Sequence, residues 1–471
     1  MQISTQLRTL PGVEAALVAM ATELNVELLD SMGFDRPAST SPNDMLVAIE
    51  AADDDAVAEA LRVLEAALTA APAPGGEGAT DVAPPTVLAA ARRSPARLAL
   101  ISTPGAVAAI DAADALGAGL DVMVFSDNVA VEHEIALKEM AADNGLLVMG
   151  PDCGTAVIDG IGLGFANVVR PGPVAIVAAS GTGAQHLMAL LDGAGVGVTH
   201  CVGVGGRDLS DQVRGRSTLA ALDRLDADDS VTTIVVVSKP PADDVADLVT
   251  AHADGLRTPT VLGYLGPGRP DITATAQRVV EATGATWQQP RRWGGDAPLP
   301  RDGDLRGLFT GGTLCDEAML IATQQLGPLA SNIPLAGGTR LDADLASQGH
   351  TFIDFGDDQL TVGRPHPMID PTLRLERLAV EVADPSCAVV MLDVVLGHGA
   401  HTDQATDLAA AIRDADTPVV VSLVGTRDDP QGIEAQAQTL AGAGAIVHAS
   451  NAAATREALS LLGQHAHKDM P

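Results

Sequence analysis

VAIVAASGTGAQHL, residues 174 to 187, decides the fold. Six small or β-branched apolar residues give way to Ser180-Gly181-Thr182-Gly183, and a helical pattern follows at once. A strand that passes through so tight a turn into a helix, and is apolar at every position, reads as a parallel strand buried on both faces. Further runs of the same kind flank it, each followed by an Ala-rich helical pattern: LALIS from Leu98, VMVFS from Val122, LLVMG from Leu146, TIVVVS from Thr233 and TVLGY from Thr260. Strands alternating with helices predict βαβ units and a parallel sheet.

The pattern stops at WQQPRRWGGDAPLPRDGD, residues 287 to 304, and resumes with GLFTGG, FIDFG, VVMLDVVLG, PVVVSLVG and AIVHAS. RGLFTGGTLCDEA, residues 306 to 318, echoes residues 175 to 187: strand, small residues with Gly-Thr, helix. Ahead of Leu98, the segment to about Ala71 reads helix, strand, turn, strand, helix, with MLVAIEA as its second strand and an amphipathic stretch from Asp55 to Leu68. This is the pattern of a small α+β module. APAPGGEGATDVAPP, residues 71 to 85, has no periodicity and reads as a linker.

A chain of 471 residues is long enough for about three domains. It is 46% hydrophobic, yet only nine residues are aromatic, so its cores must be aliphatic. The net charge is −33, and lysine occurs only at Lys138, Lys239 and Lys468. Such a balance speaks against nucleic acid as a partner and makes a solvated acidic surface the plain reading. A small anionic substrate would then depend on local backbone dipoles or a few Arg. Cys153, Cys201, Cys315 and Cys387 are widely spaced, which suggests neither a zinc or other metal site nor a disulfide framework. No signal-peptide core or membrane-length apolar run is present, so the expected location is cytoplasmic, without membrane association.

In an open parallel sheet, ligands sit outside the carboxyl ends of the strands. At Ser180, Gly181, Thr182 and Gly183 small residues let backbone N–H groups approach an anion, and the helix adds its positive end. Three more turns look alike: GVGGRD with Gly205 and Gly206, then Gly311, Gly312 and Thr313, then GHGAHTD with Gly397 and Gly399. The competing reading is steric, because tight βα turns need glycine whether or not they bind anything. His398 and His401, beside Asp403, could act as a general base, a phosphoryl acceptor or half a metal site, or simply form a polar loop. In GRPHPMIDP two prolines stiffen a loop that either presents His366 and Arg364 or terminates a strand. Asp243-Asp244 and Asp357-Asp358 are expected from composition alone, and neither a Walker motif nor a Gly-x-Ser-x-Gly elbow occurs.

MGPDCGTAVI, residues 149 to 158, resembles the GPNCPG stretch of the succinyl-CoA synthetase α subunit. VAIVAASGTGAQHL and HCVGVGGRDLSD continue the likeness in register, over roughly residues 98 to 285. VVMLDVVLGHGAHTD, with the segment from Pro418 to Val447, is similar to the CoA-ligase domain of the β subunit. With LFTGGTLCDEA, GRPHPMIDP and the small N-terminal module, the whole chain resembles the FdrA family, an α-like and a β-like part fused. The resemblance implies an α/β fold: a small α+β domain (1–71), a linker (72–85), a CoA-binding Rossmann-like domain (86–170), an α-type flavodoxin-like ligase domain (171–286), a linker (287–305) and a β-type one (306–471). Met1 to Leu10 reads as starting inside a helix, with an initial strand of the small domain expected ahead of it.

The resemblance also implies roles. Pro151, Asp152 and Cys153 fall on the substrate or CoA side, and CoA is a candidate cofactor, although no glycine loop of the CoA-cradling kind precedes Ile101. Where the synthetase carries its phosphorylated histidine, this chain has GYLGPGRPD, residues 263 to 271. Where it has an acid to steady that histidine, this chain has Lys239, a candidate catalytic cation suited to an anionic ligand. No stretch is long enough for a nucleotide-binding ATP-grasp domain, so nucleotide chemistry would come from a second subunit in a hetero-oligomer. The implied activity is that of an acyl-CoA synthetase-like enzyme handling an acyl or carbamoyl phosphate at helix N-termini without a phosphohistidine. Alternatives are a subunit of an oxamate carbamoyltransferase in purine (allantoin) catabolism, and a non-catalytic scaffold or regulatory subunit.

Overall fold

The structure is a computed structural model that describes residues 2–21, 25–26, 29–30, 32–37, 39–41, 44–69, 84–93, 95–361, 364–413 and 415–463. It divides into two units, one made of Met1–Ala83 with Thr361–Pro365, the other of Pro84–Leu360 with His366–Pro471.

In the first unit a helix at Gln2–Arg8 leads into β1 (Val13–Met20), which pairs antiparallel with β2 (Met45–Ala51) and is followed by a helix at Asp54–Thr69. Leu7, Ala16, Val18, Ala60 and Leu64 form its core. Ala60 and Leu64 stand four apart, so one helical face meets the sheet. The expected linker at 71–85 lies almost wholly outside the described residues.

The second unit is α/β with three sheets of mainly parallel strands. β3 (Leu98–Ile101), β4 (Asp121–Val124) and β5 (Val148–Met149) form a three-stranded parallel sheet. A six-stranded sheet follows in the order β11-β10-β8-β9-β6-β7. Its strands are β6 (Thr155–Ile158), β7 (Ile161–Gly164), β8 (Val174–Ala179), β9 (Val198–Gly203), β10 (Thr233–Ser238) and β11 (Thr260–Tyr264). The β6–β7 hairpin runs antiparallel and joins this sheet through β9. The boundary expected at residue 170 therefore moves forward, because residues 155–164 pair with the ligase sheet and not with the Rossmann-like one.

Along β8, Ala175, Val177 and Ala179 enter one core while Val174, Ile176 and Ala178 enter another. Period-two alternation of equally apolar residues is what a strand covered by helices on both faces requires. The same holds in the eight-stranded sheet for β17 (Cys387–Val395), with Met391 on one side and Val390 and Leu392 on the other. That sheet is centred on β13 (Asp304–Phe309) and β17, with β16 (Thr351–Asp354) and β18 (Val419–Val424) beside them. The stretch 287–305, expected as a linker, contributes an edge: Arg292 and Trp293 pair antiparallel with His448 and Val447. Trp293 Nε1 donates to Glu434, and the Arg291 guanidinium covers the indole at 4.7 Å. Among the described residues no helix is long and apolar enough to cross a membrane.

Candidate functional site

Two helices begin at the carboxyl ends of β8 and β13, at Gly181–Gly193 and Gly312–Leu326. Their turns meet. Ser180 Oγ donates to Thr313 Oγ1 at 2.6 Å, joining residues 133 positions apart. A Cβ on Gly183 would lie 3.0 Å from Thr313 Cγ2, and one on Gly311 would lie 2.7 Å from Thr182 Oγ1. Glycine is thus required at both turns for close approach across the junction. Replacing Gly311 with valine should separate the turns, costing about 1–3 kcal/mol by overpacking; a urea titration unchanged from wild type would show that the junction is loose.

The amide accounting at the two starts differs. Gly183 N–H is taken by Ser180 Oγ at 2.9 Å, while Gly181 and Thr182 have no side-chain acceptor among the described residues. At the second start Asp393 reaches back from β17 and accepts from Thr310 N, Thr310 Oγ1 and Gly311 N at 2.7, 2.9 and 2.9 Å. Two amides proposed for an external anion, or beside one, are therefore already served by a protein carboxylate. Gly312 and Thr313, the next two, have no side-chain acceptor among the described residues. Exposed first-turn amides of two helices at one place sum their positive ends.

Lys239 follows β10 and lies at this junction, its Nζ 3.6 Å from Asp316 Oδ2. A Cβ on Gly312 would lie 2.9 Å from that Nζ and 2.6 Å from Asp354 Oδ2. Crowding works against the Lys239 charge, but Asp316, Asp354 and Asp152 outweigh it and hold the ammonium above its usual range. Burial pushes Asp354 up to about 7 against the pull of Lys239, and pushes Asp316 upward too. Asp152 is also pushed up to about 7, first by crowding, then by Asp358, with Lys239 opposing and Asp127 and Arg207 acting more weakly. Yet solvent reaches both Asp152 and Lys239. Dense surroundings together with solvent access describe side chains on the wall of a recess.

The GPDC loop forms part of that wall. Gly205, at φ +89°, packs against it so closely that a Cβ would lie 2.5 Å from Pro151 O, and Gly206 faces Asp152. Asp208 in the same GVGGRD turn is spent internally: it accepts from Ser217 N, Thr218 N and Thr218 Oγ1, and from the buried Lys138 ammonium at 2.7 Å. Cys153 is buried and its thiol pushed up to about 12, which removes nucleophilic character.

The remaining sequence candidates stand differently. Gly397 and Gly399 pack against Ala166 and Phe165, contacts a Cβ would break at 2.6 and 3.0 Å, so neighbouring chain accounts for their turn. His398 is exposed and bridges Ala166 through backbone only. His401 Nδ1 accepts Asp403 N–H at 3.2 Å, while the Asp403 carboxylate binds Thr406 and Gln436 at the start of the helix Gln404–Arg413. The imidazole and carboxylate expected to act together face different partners. His366 packs its ring 5.6 Å from Phe165, and burial, aided by Arg374, lowers it to about 4, so it is neutral. Arg364 belongs with the first unit. The loop 263–271 ends in Asp271, which caps the next helix through Ala274 N.

Sequence reasoning missed Asp316, Asp354 and the Arg374–Asp393 pair. One signal was present: an acid in the middle of the apolar run VVMLDVV has no business in a buried strand without a partner.

A CoA-ligase family profile matches residues 308–461, and a profile described as "AllF, heavy metal-associated domain" matches residues 1–84. Those 84 residues contain neither Cys nor His, the soft donors a transition metal would need. The chain is 39% identical to "Uncharacterized protein YahF" of Escherichia coli K12, over 96% of this chain and 93% of that one. It is 30% identical to the succinate–CoA ligase α subunit of Methanothermobacter thermautotrophicus, over 25% of this chain and 40% of that subunit. The dinucleotide-forming acetyl-coenzyme A synthetase 1 of Ca. Korarchaeum cryptofilum aligns with 80% of this chain and 88% of its own, at 16% identity and a TM-score of 0.30.

Proposed function

The chain belongs to the family of Escherichia coli YahF, and on that footing we propose that it is an FdrA-type, acyl-CoA synthetase-like enzyme that handles an acyl or carbamoyl phosphate at the Ser180–Thr313 junction. The observation that carries this is the meeting of two helix starts beside one lysine. Lys239 and the amides of Gly181, Thr182, Gly312 and Thr313 hold the phosphoryl oxygens. When a nucleophile adds to the carbonyl carbon, the C–O bond to phosphorus breaks and phosphate leaves with the electron pair. The charge gathering on that phosphate is met by groups already in place, the form of catalysis that requires no covalent enzyme intermediate.

Within this reading carbamoyl transfer is favoured over ligation of CoA. The first βα turn of the Rossmann-like sheet has no room for a diphosphate: a Cβ on Gly105 would lie 2.3 Å from Asp127 O. Thr103 Oγ1 is engaged with Asp111 Oδ2 at 2.9 Å, so an acid already stands at that turn. A second subunit, supplying the acceptor site or the activated phosphate, completes the proposed assembly.

The test is ligand-dependent thermal unfolding with ³¹P NMR of the full chain. Inorganic phosphate and carbamoyl phosphate, each at about 100 times Kd, should stabilise by about 2.7 kcal/mol, and millimolar CoA should leave the transition in place. A shift with CoA alone would reverse the preference for carbamoyl transfer.

A further inference from the structure

Resting on that reading, we infer that Asp152 takes the proton from the incoming nucleophile, and that the acids around it admit an amino or amide nucleophile in preference to a polyanionic thiol. Asp152 adopts φ +58°, a left-handed conformation uncommon for a side-chain-bearing residue. The loop is pinned there by Asp152 N–H donating to Ser126 O at 2.9 Å and Cys153 N–H donating to Val124 O at 3.0 Å. Backbone bonds thus fix a carboxylate that makes no side-chain hydrogen bond among the described residues. It faces Lys239, the residue assigned to the phosphate.

Every charged group acting on Asp152 is accounted for: Asp358 from the helix Asp358–Thr361, Lys239 after β10, Asp127 after β4, and Arg207 in the GVGGRD turn. Arg207 is itself engaged by Glu134 and Val129 O. Three carboxylates against one half-committed guanidinium and one lysine repel a ligand that brings several phosphates of its own. They do not repel a neutral amine or amide.

The step balances. The nucleophile's nitrogen forms a C–N bond to the carbonyl carbon, the C–O bond to phosphate breaks, phosphate leaves with the electron pair, and the nitrogen's proton passes to an Asp152 carboxylate oxygen and then to water. A carboxylate pushed up to about 7 is poised for this at neutral pH. Turnover should rise with pH as Asp152 ionises and level off above about 7.

The experiment follows hydroxamate or hydroxyurea formation from acetyl or carbamoyl phosphate with hydroxylamine as probe nucleophile, alongside phosphate binding by ³¹P NMR. Asp152→Asn tolerates the same backbone conformation. It should lower kcat about 100-fold or more, remove the rise near pH 7, and leave the phosphate Kd within about twofold. Asp358→Asn removes a like charge and should move the rise to lower pH. Wild-type kcat and an unchanged pH profile in Asp152→Asn, with phosphate still bound, overturn the role of Asp152 alone. Faster turnover with CoA than with hydroxylamine overturns the nucleophile class. Failure of the wild-type chain to bind phosphate or turn over any acyl phosphate sinks the underlying reading, and this inference with it.

Discussion

Replacing Arg374 with methionine is expected to lower the unfolding free energy by about 3–5 kcal/mol, the cost of leaving one member of a buried ion pair behind. Arg374 is fully buried, and its Nη1 donates to Asp393 O at 2.6 Å and Asp393 Oδ1 at 2.9 Å. Burial depresses the guanidinium and raises the Asp393 carboxyl, and each is partly restored by the other. Without the arginine, Asp393 takes up a proton and loses acceptor strength toward Thr310 N and Gly311 N. The damage therefore extends from the core into the glycine turn. Urea unfolding of Arg374→Met, of Asp393→Leu and of the double variant separates the terms: the double variant should be more stable than either single one. A loss under about 1 kcal/mol in Arg374→Met would mean that water or a rearranged neighbour replaces the pair, and that Asp393 is not what holds the turn.

How the sequence carried this architecture, and where it failed, follows from what kind of force acts. The strands β8, β10 and β17 are legible because their burial is a property of each residue in its own segment. The edge pairing of Arg292 and Trp293 was not, because a two-residue strand has no period and exists only through its neighbour. The glycine turns were legible as turns. Which of them meet was not, since Ser180 and Thr313 are brought together by the docking of two sheets and no local rule encodes that distance. The turn at Gly397 looked equivalent to the one at Gly181 by composition, yet it is filled by Ala166 and Phe165. Lys239 stood out because lysine is so scarce here. Its acid partners did not, because Asp316 and Asp354 are two among 61 acidic residues.

Lys239→Met should weaken phosphate binding about 10- to 100-fold, the equivalent of one charge-assisted hydrogen bond of about 1.5–3 kcal/mol. Its side chain is 39% exposed, so the fold should survive with little change in Tm. The substitution does more than delete a donor: it leaves Asp316, Asp354 and Asp152 unopposed beside the helix starts. Those carboxyls then hold their protons to higher pH, because Lys239 is what pulls each of them down. In the wild type the same acids make phosphate binding tighter toward pH 6 and weaker toward pH 8, as Asp152 and Asp354 ionise around 7. The variant should keep that direction, with residual affinity recoverable only on the acid side. Lys239→Arg, which restores charge with a planar fork, should recover part of the affinity at both pH values. Equal phosphate affinity for wild type and Lys239→Met across this range would place the anion elsewhere and leave the lysine as a partner to its acids alone.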